Sequence, residues 1–76
     1  MFTYTETEYV IKALGDKIRR ARIAKGDTQE VFACRIRVSV PTLRAMEKGS
    51  VTTSLSTFLN ALSVLSRIED MDKVLS

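Results

Sequence analysis

Apolar residues recur at steps of three and four along most of this chain. Ile11, Leu14, Ile18 and Ala21 form one such stripe, which predicts a helix ending near Lys25. Thr5 with Glu8 offers that helix a capping box. Gly15 counts against its first turns, at about 1 kcal/mol relative to alanine. Gly26 stands where a left-handed residue closes a helix. Thr28 is the N-cap candidate for a second helix with Phe32, Ala33 and Ile36 inward. Ser39 caps a third helix. Pro41 falls in its first turn, where the missing N–H costs nothing, and the helix holds Leu43 and Met46 before stopping at Gly49. Residues 50–53 are a polar connection. Ser54 then caps a fourth helix with Leu55, Phe58, Leu59, Leu62 and Leu65 inward, and Ser66 with Glu69 caps a short fifth helix with Ile68, Met71 and Leu75. No segment alternates with a strand period. The expectation is an all-α, five-helix fold with short connections.

Seventy-six residues leave room for one domain, spanning 1–76. Such a chain buries only about 60% of the surface its unfolded form exposes. At about 0.05–0.15 kcal/mol per residue its stability is about 4–11 kcal/mol, so dimerisation is a natural supplement. A hydrophobic content of 45% with a net charge of +3 excludes intrinsic disorder. No apolar run approaches the roughly 18 residues of a membrane span. Residues 2–9 alternate polar and acidic positions instead of following a basic start with an apolar stretch, so no signal peptide is expected. The single cysteine, Cys34, can form neither an internal disulfide nor a thiolate cluster, and it reads as an inert small residue. There is no histidine, which removes the commonest general base and the commonest metal ligand together. A cytoplasmic binding module without cofactor or metal is the expectation.

Charge is distributed unevenly. Residues 1–11 carry Glu6 and Glu8 and no base. Residues 12–48 carry ten bases against Asp16, Asp27, Glu30 and Glu47, whereas residues 49–76 are slightly acidic. A basic block between acidic ends suits a face that binds a polyanion.

The second and third helices, joined by about four residues, raise the helix-turn-helix arrangement over about 28–49. With Gln29 as its first position, Phe32, Ile36, Val38, Leu43 and Met46 occupy the slots where two such helices face each other and the core. Ala33 falls where they cross closely. The segments running from Thr28 to Ala33 and from Val38 to Gly49 resemble the helix-turn-helix domains of the phage-repressor/Cro (Xre-like) type. Residues 14–22 are similar to that family's first helix and residues 50–62 to its fourth, so the likeness extends over about 14–71. The wording of residues 50–62 looks most like members that act as antitoxins beside Hip-type toxin kinases. One departure is Arg37, at the turn position usually held by glycine. A left-handed conformation there costs a non-glycine residue about 1 kcal/mol.

The resemblance implies a sequence-specific repressor of its own operon, acting as a homodimer on a palindromic operator in double-stranded DNA. A toxin kinase is a further implied partner. The third helix would lie in the major groove and the second would cross the backbone. Val40, Pro41, Arg44 and Ala45 would then face base edges, with Arg44 alone able to make a bidentate contact to guanine. Gln29, Thr42 and Lys48 suit phosphate contacts, with Arg19 and Arg37 as electrostatic contributors. Arg22 and Glu47 would pair between the first and third helices, with a secondary phosphate role for Arg22. Leu65, Ile68, Met71 and Leu75 are the expected dimer stripe within the C-terminal helices over 54–75, with Phe2, Tyr4 and Tyr9 able to pack there. A controller of a restriction-modification operon, with the same length and domain, is an alternative. So is an interaction module that has lost DNA binding. An enzyme is disfavoured, because Glu30 and Glu47 are the only acids in the motif and no nucleophile–base pair exists without histidine.

Overall fold

A computed structural model describes residues 4–66 of the chain as four helices in succession. They are α1 (Tyr4–Lys25), α2 (Gln29–Ile36), α3 (Val40–Glu47) and α4 (Leu55–Leu65). The three serine and threonine caps stand where the sequence places them. The Thr28, Ser39 and Ser54 hydroxyls accept from the backbone N–H of Val31, Thr42 and Thr57, and each cap residue is extended. The expected fifth helix, with Ile68, Glu69, Met71 and Leu75, lies outside the described residues. Ser66 is seen only as the extended residue that closes α4.

Ile18, Phe32, Ala33, Ile36, Leu43, Met46, Phe58 and Ala61 are buried together, so every helix contributes to one core. α1 packs on α3 and α4, and α2 on the same two. All six positions of the helix-turn-helix test lie in or against this core, Val38 from its rim.

Gly15 sits inside α1 in spite of its poor helix propensity, and tertiary packing is the reason. A Cβ there would overlap the Met46 carbonyl oxygen and lie 3.1 Å from that of Glu47. Only glycine lets α1 come this close to the end of α3. Gly15→Ala gains about 1 kcal/mol of helix propensity but forces the two backbones apart, at about 1–3 kcal/mol. A net loss of stability is therefore expected in urea unfolding. A rise would mean that the helices separate without cost.

The fourth helix departs from the sequence reading. Leu55, Leu59 and Leu62, expected inward, are 72%, 55% and 41% exposed, whereas Thr57, Phe58 and Ala61 are buried. α4 meets α1 and α2 along the face centred on Ala61, and the leucine stripe beside that face stays outside the core of the described residues. Periodicity marks both stripes equally. Contact with α1 and α2 selects between them.

Candidate nucleic-acid interface

The turn between α2 and α3 is built on Arg37, which adopts φ 60 and ψ 43. It is the one non-glycine residue with positive φ among the described residues. Its N–H donates to the Cys34 carbonyl at 3.2 Å, and the Val38 N–H donates to the Ala33 carbonyl at 3.0 Å. This pair of bonds is a Schellman closure. Gly26 and Gly49, both at positive φ, close α1 and α3 in the same pattern. The turn thus keeps its left-handed geometry, and arginine bears the strain. Arg37→Gly should raise stability slightly, by up to about 0.6 kcal/mol, the relief of strain less the extra freedom of the unfolded chain. A lower melting temperature would contradict this.

Across the other side of the motif, Arg19, Gln29, Arg44, Glu47 and Lys48 line one cleft. One of these, Glu47, is half of a buried ion pair. Arg22 Nε donates to Glu47 Oε2 at 2.6 Å and Nη2 to Oε1 at 3.2 Å, with the two residues only 7% and 6% exposed. Arg22 Nη1 also donates to the Asp27 carbonyl at 2.9 Å, tying α1 to the start of α2. The guanidinium is thereby matched on several edges, as a desolvated charge requires.

A chain of contacts leads from this pair to the surface. Gln29 Nε2 donates to Glu47 Oε1 at 3.2 Å, which fixes the amide with its oxygen outward. That oxygen accepts from Arg44 Nε at 3.0 Å. Arg44 is exposed, and among the described residues its two terminal nitrogens make no such bond. The sequence reading found the two ends of this chain, Arg22–Glu47 and Arg44, but not the glutamine that joins them. Gln29 and Arg44 are fifteen positions apart, and no local pattern relates them. The reading also missed Asp27, whose carboxylate lies 3.6 Å from Arg35 Nη1. The oxygen at that distance, Oδ2, is buried and has no hydrogen bond among the described residues.

The remaining expected contacts divide by position. Pro41, Thr42 and Lys48 are exposed, while Val40 and Ala45 are half-buried, Val40 against the core. The Thr42 hydroxyl shares a hydrogen bond of 2.8 Å with Ser39. Arg37 does not join the Arg44 cleft. It lines a second cleft between the end of α2 and α4, with Arg35, Asn60 and Ser63. Leu65, the one described member of the expected dimer stripe, packs from the side against the core. Cys34 is exposed. Among the described residues no group of three or more histidine, cysteine, aspartate or glutamate side chains is placed to hold a metal ion. No described helix is long and apolar enough to cross a membrane.

A helix-turn-helix family model matches residues 18–67. No curated protein and no solved structure matches the chain. The matched span takes in the close of α1, the capped α2 and α3 with their left-handed turn, and α4. Together with the motif residues in the core, it shows that the chain belongs to the helix-turn-helix family of the phage-repressor/Cro (Xre-like) type, a family of DNA-binding regulators.

Proposed function

We propose that the chain is a sequence-specific transcriptional repressor that reads a palindromic operator as a homodimer and controls its own operon. The observation that carries this reading is the Arg22–Glu47–Gln29–Arg44 chain of contacts. It supports an arginine on the exposed side of α3, oriented from a buried anchor. In this reading Arg44 takes a guanine edge through its terminal nitrogens. Pro41 offers apolar contact to thymine methyls, with Val40 and Ala45 behind it. Arg19, Lys48, Gln29 and Thr42 take phosphates and position the domain, Arg37 adds to its field, and Arg22 serves through Glu47. A toxin kinase as second partner rests on the wording of residues 50–62 alone, and a kinase-like reading frame beside this gene would support it.

Selection of bound duplexes from a random pool tests the reading. The expected product is a two-fold symmetric sequence with half-sites about 34 Å, one helical turn, apart. Binding with no enriched sequence would leave a non-specific binder. No binding at low salt would leave an interaction module.

A further inference from the structure

The family match begins at residue 18, yet α1 begins at Tyr4. α1 thus runs for fourteen residues ahead of the matched span, and its exposed side is patterned there and into the next turn. Glu6, Tyr9, Ala13, Lys17 and Arg20 follow one another at steps of three and four, so they share one helix face. All five are exposed, Tyr9 to 75%. Tyr9, Val10, Ala13, Leu14 and Lys17 line a shallow apolar cleft, and Leu14 and Lys17 continue it to Leu62 and Leu65 of α4. An acid stands at one end of the stripe, bases at the other, and a small residue midway.

We propose that this face of α1 binds the same face of a second copy of the chain, antiparallel, about a two-fold axis at Ala13. The spacing makes the stripe its own complement. Glu6 and Arg20 each lie about 10 Å along the helix from Ala13, and Tyr9 and Lys17 each about 6 Å, at 1.5 Å per residue. Reversal about Ala13 therefore sets Glu6 against Arg20 of the partner subunit and Tyr9 against Lys17 of the partner subunit. Each pairing occurs twice, as an isologous interface requires. The first is an ion pair and the second a cation over an aromatic ring. Ala13 against its own copy lets the helix axes approach closely. Asp16, which falls opposite Val10, is bound by Arg20 of its own chain at 2.8 Å, so each arginine stands between that aspartate and Glu6 of the partner subunit. The cleft continuing to Leu62 and Leu65 adds apolar area beside the helix pair.

This inference rests on the homodimer of the proposed function, and sedimentation of the full chain without DNA tests it separately. The parent protein should dimerise. Ala13→Glu, which sets two like charges face to face on the axis, should weaken the dimer by about tenfold or more. Glu6→Arg and Arg20→Glu should each weaken it, because each leaves like charges opposed twice. Mixing those two variants should restore a dimer, since both cross-contacts then become attractive. All three positions are exposed, and helicity by circular dichroism should stay at the parental level. A monomeric parent overturns the proposal. So does a dimer that Ala13→Glu leaves intact, or a mixture no more dimeric than its components. Loss of DNA binding by a dimeric parent would instead count against the proposed function.

Discussion

Arg22→Ala is expected to destabilise the fold by about 3–5 kcal/mol, the cost of leaving one member of a buried ion pair without the other. The expected total for a chain of this length is about 4–11 kcal/mol, so this one change removes a large part of it. The geometry places the cost at the upper end for such a pair. Both residues are almost wholly buried, and the guanidinium also holds the Asp27 carbonyl between α1 and α2. Truncation leaves Glu47, among the described residues, with only the Gln29 amide, a neutral donor, as partner. Arg22→Lys should recover part of the loss, because an ammonium supplies charge without the planar fork that reaches Glu47 and Asp27 together. The double variant Arg22→Met, Glu47→Met should be more stable than Arg22→Ala, since no unpaired charge then remains buried. Urea unfolding of the three variants checks the ordering. An unchanged midpoint for Arg22→Ala would mean that the pair is not formed in solution.

That ion pair was legible in the sequence only through family likeness, since its members are twenty-five positions apart. The three N-caps were legible directly, because a cap is a local event involving a hydroxyl and an N–H three residues on. The strained turn, by contrast, was legible through the family likeness. Arg37 stands where the chain must turn left-handed, and the structure keeps it there. What local pattern cannot supply is the identity of the surface that receives a helix face. Leu55, Leu59 and Leu62 are spaced as well as Phe58, Ala61 and Leu65, yet α1 and α2 cover the second set. Ala61 is fully buried although leucines flank it, because the closest packing favours the smallest side chain. Gly15 is the converse case. Its propensity argued against a helix, but the approach of the Met46 carbonyl requires it inside one. The Gln29–Arg44 bond belongs to the same class, existing only once α2 and α3 have packed.

Within the proposed reading of DNA, Arg44→Ala should weaken specific binding by about 1–3 kcal/mol and relax preference at one base pair. Lysine should not restore it fully, because a point charge cannot reproduce two parallel donors. Arg19→Ala should instead weaken specific and non-specific binding alike and flatten the salt dependence by about one unit, as loss of a phosphate contact does. The two arginines line the same cleft, so nearness to DNA does not distinguish them. The difference lies in what holds each. Arg44 Nε is engaged by the Gln29 amide, whose direction Glu47 sets. Fixing that nitrogen restricts the side chain before DNA arrives and leaves the terminal pair to read a base edge. Gln29→Ala should therefore relax preference at the same base pair as Arg44→Ala, by a smaller amount, although the guanidinium is untouched. Binding to random-sequence DNA across a salt series, beside binding to the selected operator, separates these outcomes. If Arg44→Ala lowers affinity for all sequences equally, α3 is not reading the groove through this residue. If Gln29→Ala changes only the salt slope, the phosphate contact is the glutamine's whole role, and Arg44 is oriented by the DNA itself.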